Sequence, residues 1–331
     1  MENKPIAVLI SDVHYNVHTL QLADAAVRQA ISKANSLNVP LIVAGDIHDT
    51  KANLRGECVN AMLETFKLCG HQPIVLVGNH DRLNEKSQEH ALNFLRPYAR
   101  IIDKIEEYEN IILLAYNHDI TELRRWLTTM KPQYPIIMHQ GLNGSNMGDY
   151  IKDDTALNKE DVVGLRIISG HYHARQTIEL PDGGRWDFIG NPYSLTFGEA
   201  NDPPKGYQIL YADGSLEFAP TNLIKHIIID IMVGDLDHPD LWQYDYKPGD
   251  LLWIKVRGDK KWLNLSKNQI AKAMDIKPDF KLDLICTEEI QTEKTDLSLK
   301  DDKLLDSIID SLNVTDERKT KLKSTWKQLC D

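Results

Sequence analysis

Five short apolar runs that each stop on a polar cluster constrain this sequence more than any other feature. The run PIAVLI leads into Asp12-Val13-His14, PLIVAG at 40–45 into Gly45-Asp46-Ile47-His48-Asp49, and PIVLVG at 73–78 into Gly78-Asn79-His80-Asp81. PIIMHQ at 135–140 carries His139 near its end, and RIISG, starting at Arg166, ends in Gly170-His171-Tyr172-His173. Together with IILLAY at 111–116, these runs predict strands. Apolar residues recur at helical spacing between them, over 20–34, 55–68, 87–95 and 121–130. Strands that are apolar throughout, divided by helices, require a sheet covered on both faces, because a half-exposed sheet would alternate apolar and polar. Turn signals at Asp182-Gly183-Gly184 and Asp213-Gly214 then predict two hairpins. The fold class is therefore α/β, a helix-covered sandwich of βαβ units followed by a strand meander.

Beyond about residue 219 no further polar strand ends occur, and a smaller pattern begins: IKHIIIDIMV, LLWIKVRG, a helix over 267–273, then FKLDLI. This predicts a compact α+β unit. Residues 287–303 are charged and without apolar period, as in a linker. The last segment spaces Leu304, Leu305, Ile308, Ile309 and Leu312 like one helix face. The expected division is 1–220, 221–286 and 287–331.

Composition removes several classes. With 38 Lys and Arg against 49 Asp and Glu, the net charge is −11, so nucleic acid cannot be held by general basicity and any such contact must be local. The first apolar run stops at Ile10 and Asp12 follows, which predicts neither a signal peptide nor a membrane span and implies a cytoplasmic protein. The four cysteines show no CxxC pairing and read as reduced thiols.

The chemistry lies at the strand ends. In an open α/β sheet the carboxyl ends of the strands form the ligand crevice, so these distant residues should converge. Residues i and i+2 of an extended segment point the same way, letting Asp12 with His14, and His171 with His173, aim at one spot. Imidazoles mixed with carboxylates and an Asn suit manganese, iron or zinc better than magnesium, and there are more ligands than one ion needs. Taken singly, each cluster has an ordinary explanation: a DxH pair or a GD is usually a turn, and a lone His after a strand is usually an edge residue. The order DxH, GDxxD, GNHD, H, GHxH, each after a predicted strand, is what favours a two-metal site.

Those five clusters resemble the signatures of the calcineurin-like metallophosphoesterase superfamily over roughly residues 5–220. The stretch GNPYSLTFGEANDPPKGYQIL at 190–210 is similar to its SbcD-type group, the nuclease subunits of double-strand-break repair complexes and their phage recombination counterparts. The resemblance implies a four-layer α/β/β/α sandwich with a small capping domain and a C-terminal helical segment. It implies that Asp12, His14, Asp46 and His173 hold one metal, most simply Mn2+, and that Asp46, Asn79, His139 and His171 hold the other. His80 would stand on the leaving-group side as a catalytic residue. Some members have a His directly after GDxF where this chain has Asp49, with His48 one place earlier, so both stay candidates for a supporting catalytic role. Two such ions would neutralise a phosphodiester, generate hydroxide at neutral pH and align its attack.

The implied function is a manganese-dependent exonuclease and endonuclease subunit acting in DNA repair or recombination. Lys255, Arg257, Lys260 and Lys261, interleaved with Trp253 and Trp262, form the candidate DNA contact; charge runs are as often plain solvated faces. The stripe of Leu305, Ile308, Ile309 and Leu312 suits a helix-in-groove anchor, which the resemblance assigns to an SbcC-type, SMC-like coiled-coil ATPase. Packing back on the catalytic unit is the other use of such a stripe. The resemblance also implies a homodimer within a heterotetramer, with residues 55–68 and 87–95 as candidate dimer helices. The competing readings are a metallophosphoesterase for a small phosphodiester or phosphoprotein, and a non-catalytic assembly subunit.

Overall fold

The computed structural model describes residues 3–51, 53–84, 86–130, 133–146, 153, 155–236, 238, 246–259, 264–277, 280–286 and 319–320. The chain opens as β1 (Pro5–Ile10), α1 (Leu20–Leu37), β2 (Leu41–Val43), α2 (Gly56–Phe66) and β3 (Ile74–Leu76). It continues through β4 (Arg100–Ile102), β5 (Ile105–Tyr108), β6 (Ile111–Leu114), α3 (Ile120–Met130), β7 (Ile136–His139) and β8 (Arg166–Gly170). Two hairpins follow, β9 (Gln176–Glu179) with β10 (Arg185–Phe188), and β11 (Gly206–Tyr211) with β12 (Leu216–Pro220). Both turn where the glycines predict. The remainder is β13 (His226–Met232), β14 (Leu251–Gly258), α4 (Lys267–Ala273) and β15 (Lys281–Cys286).

Two six-stranded sheets result, ordered β12-β11-β1-β2-β3-β4 and β5-β6-β7-β8-β10-β9. Each is mixed: the first is parallel from β1 to β4 with antiparallel β11 and β12 at one edge, and the second is parallel from β6 to β10 with an antiparallel strand at each edge. Strand alternation explains why the runs are apolar at every position. Ala7 and Leu9 of β1, Ile42 of β2, Ile74 and Leu76 of β3, Ile137 of β7 and Ile168 of β8 meet in one buried layer between the sheets. Their neighbours Val8, Ile10, Leu41, Val43 and Val75 point the other way, onto α1 and α2. Ile136, Met138 and Ile167 likewise face α3. The layers are therefore α/β/β/α, and a sheet with a covering on each face has no polar row to show. Truncating a side chain such as Ile137 in the middle layer should cost about 2–5 kcal/mol.

α1 fits close to its sheet because Ala23, Ala26, Ala30 and Ala34 lie at helical spacing on its buried face. It ends where Asn38 takes a left-handed conformation, φ 56°, that Asn tolerates well. No helix among the described residues is long and apolar enough to cross a membrane.

The helix expected over 87–95 does not form; only a 3-10 turn at Ala91–Leu95 is present. Side chains compete for the backbone there. Arg82 donates to the Ser87 carbonyl, 3.1 Å, and His90 Nδ1 accepts from the Leu92 amide, 3.2 Å. Arg82 and His90 also form a β-bridge, so the segment is anchored as an irregular connection before the helical pattern can extend.

The third sheet, β13-β14-β15, is parallel throughout and keeps its own apolar cluster, with Ile229, Ile254 and Val256 packed on Ile270 and Ala271 of α4. α4 is capped by a reciprocal box, Ser266 accepting from the Gln269 amide while Gln269 accepts from the Ser266 amide. The linker at 287–303 and the anchor residues Leu305, Ile308, Ile309 and Leu312 lie outside the described residues, as do Lys260, Lys261 and Trp262.

Candidate metal centre

Four residues of the strand-end clusters adopt backbone angles that L side chains avoid: Asp12 (φ 52°), His14 (φ 49°), Asp46 (φ 50°) and His171 (φ 87°). Left-handed conformations cost about 1–3 kcal/mol at such positions and persist only where the surroundings enforce them. Here they turn the side chains out of the strand direction and into one crevice at the carboxyl ends of β1, β2, β3, β7 and β8.

Glycine makes the crowding possible at two points. A Cβ on Gly78 would strike the Asp46 carboxylate, and one on Gly170 would strike Ser11 Oγ and the Ala44 carbonyl. Those glycines let four strand ends touch, those of β1, β2, β3 and β8.

The donor atoms gather in two adjacent groups. Asp12, His14 and His173 place one ligand atom each within 4.8 Å of one another, and Asp46, His139 and His171 do the same. In the first, His14 Nε2 and His173 Nε2 approach to 3.1 Å. In the second, His139 Nε2 lies 3.1 Å from Asp46 Oδ2, and Asn79 Oδ1 lies 3.1 Å from His139 Nε2 and 2.9 Å from His171 Nδ1. All seven predicted metal-site residues thus meet in one crevice.

The far nitrogens are fixed from behind, which sets the tautomers. His139 Nδ1 donates to the Ala44 carbonyl, 2.8 Å, leaving the Nε2 lone pair aimed at Asn79 and Asp46. His173 Nδ1 donates to Glu199 Oε1, 2.8 Å, leaving Nε2 toward His14. In the second group the His139 Nε2 lone pair then faces the Asp46 carboxylate, a gap that a bound cation would fill. A proton on His139 meets the same demand. Burial alone would lower the pKa of His139, yet the Asp46 and Asp12 carboxylates and the Ala44 carbonyl outweigh it and raise it to about 9. Burial likewise works against the charged form of Asp46, but the His139, His14 and His80 rings hold its carboxyl far below the usual range. The donor set fits divalent ions: mixed N and O ligands, buried, with partners behind them.

His80 stands beside this centre. Its Nδ1 donates to the Asp49 carbonyl, 2.6 Å, its amide donates to Asp46 Oδ1, 2.8 Å, and its ring meets that of His14 edge-on at 4.9 Å. The geometry also separates His48 from Asp49. Asp49 approaches His14 Nδ1 at 3.5 Å and, with His14 and His80, forms a third group of donors. The His48 ring is buried, with Nδ1 facing no hydrogen-bond partner, and only its amide joins the network, donating to Asp81 Oδ1 at 3.0 Å.

Several residues here were not foreseen. Asp81, the last letter of GNHD, accepts the amides of Gly78, Asp46 and His48 and so binds the second and third loops together. Burial, reinforced by the neighbouring Asp46 charge, raises its carboxyl to about 7. Asp153 takes His171 Nε2, 3.0 Å, and the Tyr172 hydroxyl, 3.2 Å. Glu199 receives His173, Asn191 Nδ2 and the Leu195 amide, with Lys205 Nζ 3.3 Å away. Burial opposes its charge, but His173 and Lys205 prevail and lower its carboxyl to about 2. Asp81 and Glu199 left a sequence signal, one inside GNHD and the other in the 190–210 stretch; Asp153 left none.

The candidate DNA contact is partly described. Lys255 Nζ lies 4.2 Å from the Trp253 ring centre and Lys281 Nζ 3.3 Å, so that indole carries two ammonium groups. Arg257 is already forked onto Asp230 at 2.6 and 2.7 Å.

A family model for calcineurin-like phosphoesterases matches residues 7–175. Among solved structures, a dimetal phosphatase from Danio rerio is similar over 66% of this chain and 97% of its own, at 14% identity and TM-score 0.40. A novel archaeal phosphodiesterase is similar over 64% of this chain and 98% of its own, at 16% identity and TM-score 0.36. No curated protein matches.

Proposed function

The chain belongs to the calcineurin-like phosphoesterase family, and from that premise we propose that it is a manganese-dependent DNA nuclease of the SbcD type. The observation that carries the reading is the pair of adjoining donor groups, Asp12–His14–His173 and Asp46–His139–His171, with Asn79 alongside the second. Two divalent ions held there would supply charge neutralisation and an acidified water. The chain's own residues do the rest. Asp46 would serve both ions. Ala44, Asp153 and Glu199 orient the imidazoles. With Nδ1 donating to the Asp49 carbonyl, His80 would act as an imidazolium whose Nε2 proton passes to the departing ester oxygen and leaves the neutral ring, a transfer worth about 10²- to 10⁴-fold.

DNA as substrate is supported by the 190–210 stretch, whose Glu199 is bonded directly to His173. The unit at 221–286 would contribute Lys255, and Lys260 and Lys261 from outside the described residues, to a local backbone contact. The C-terminal stripe would dock on an SbcC-type ATPase in a cytoplasmic heterotetramer built on a homodimer.

The test is cleavage of linear duplex DNA by the purified chain with manganese, with and without a coiled-coil ATPase. Metal-dependent cleavage is expected. Hydrolysis of a simple phosphodiester with DNA left intact would favour the small-substrate reading, and no hydrolysis of either by metal-loaded protein would favour an assembly subunit.

A further inference from the structure

A cleft of about 680 Å³ opens beside the metal centre, at the carboxyl ends of β4 and β6 and along one face of α3. Its volume suits a nucleotide-sized ligand. Ile105, Trp126 and Met130 give it an apolar wall, with Ile105 44% and Met130 61% exposed. Its inner end is Tyr116, whose ring centre lies 6.4 Å from that of His139 and 6.0 Å from that of His171. His80 contacts His14 in the other donor group, so Tyr116 and His80 border different ends of the centre.

The charges lining the cleft are unevenly satisfied. Asp103 is bonded to Arg96, 2.8 Å, and Glu122 accepts from Asn117 Nδ2, 3.2 Å. The cations have no such partners. Among the described residues no carboxylate lies within ion-pair distance of Lys104, Arg125 or Arg82. Arg82 is buried, donates only to the Ser87 and Tyr116 carbonyls, lies over the Tyr116 ring at 5.2 Å, and has a buried Nε facing no acceptor. An apolar wall with an aromatic side chain, next to unmatched cations and a phosphoester-cleaving centre, matches an aromatic heterocycle attached to a phosphate.

We propose that this cleft receives the base of the nucleoside retained on the scissile phosphate, stacked on Trp126, while the leaving group departs on the His80 side. The proposal rests on the phosphodiesterase reading and adds the location of one substrate half. It makes the enzyme select for a base where a bare backbone reader would not.

Two esters with the same leaving group test it: thymidine 5′-(p-nitrophenyl phosphate) and methyl p-nitrophenyl phosphate, hydrolysed by the manganese-loaded full chain. The thymidine ester should show a kcat/KM roughly 10-fold higher, as base stacking of about 1–3 kcal/mol implies. Trp126→Ala, and Thr129→Trp at an exposed position of the cleft wall, should each bring that ratio close to one. Independently of turnover, thymidine 5′-monophosphate titrated into metal-free protein should bind roughly 10-fold more weakly to both variants. Equal kcat/KM for the two esters in the parental chain overturns the proposal, as does binding unaffected by either substitution. Failure to hydrolyse either ester would overturn the phosphodiesterase reading instead, leaving the titration to decide the cleft.

Discussion

The paired sheets and the small third sheet use the same strand alternation to opposite ends. In the pair, both faces of the central strands are buried, so the few polar side chains they carry, such as Ser169, are spent on internal hydrogen bonds and the chemistry is pushed to the carboxyl ends. In the third sheet α4 covers one face, and β14 alternates accordingly: Leu252, Ile254 and Val256 inward, with Trp253, Lys255 and Arg257 half-buried on the other face. A reactive site belongs to the first kind of sheet, where loops are locked by buried neighbours. A contact surface belongs to the second, where a row of side chains can face a partner. The 190–210 stretch joins them: Glu199 holds His173, while Phe197 packs edge-on against His226 at 4.7 Å and Trp253 at 5.5 Å.

The largest expected effect separates the two regions outright. His139→Ala removes a buried donor from the centre and should lower manganese-dependent hydrolysis about 10³-fold, equivalent to roughly 4 kcal/mol of transition-state stabilisation. A change at Lys255 should do nothing comparable on a small ester, and similar losses at both sites would dissolve the distinction. Next, His80→Ala should lower turnover about 10²- to 10⁴-fold while metal content stays at the parental value, read by elemental analysis. Loss of metal in that variant would make His80 a ligand.

Glu199→Gln probes the link between the regions. It weakens the acceptor behind His173 and should reduce metal affinity about 10- to 100-fold, measured by competition with a chelator. An unchanged affinity would reduce Glu199 to a structural brace. In the third sheet, Ile254→Ala should cost about 2–5 kcal/mol locally and lower one unfolding transition, leaving that of the paired sheets in place. A uniform shift would mean that the sheets unfold as one unit. The smallest effect is expected for Lys255→Glu, which should weaken duplex binding and reduce the slope of log K against log salt by about 1.

Which parts were legible in the sequence follows from the same comparison. The central strands and α1, α2 and α3 announce themselves because burial on both faces leaves unbroken apolar runs, and the donor residues because each follows such a run. β4 and β5 do not: they are three and four residues long, and Glu106 and Glu107 in β5 interrupt any apolar pattern. The segment at 87–95 has helical spacing but gives its backbone groups to the Arg82 and His90 side chains, local competition that apolar periodicity does not register. Asp153 is a lone carboxylate in the sequence, and Asp81, though it closes GNHD, takes its role from the Gly78, Asp46 and His48 amides that only the fold brings to it. The His48 and Asp49 ambiguity is one of direction: of two adjacent residues, Asp49 brings its carboxylate to His14 while the His48 Nδ1 faces no partner.

Metal stoichiometry of the full-length chain tests the central claim most directly. Titration of metal-free protein with manganese, followed by calorimetry and elemental analysis, should give two ions per chain, and Asp46→Asn should reduce binding at both. One ion per chain, or two whose affinities ignore Asp46, would contradict a shared carboxylate joining two cation sites.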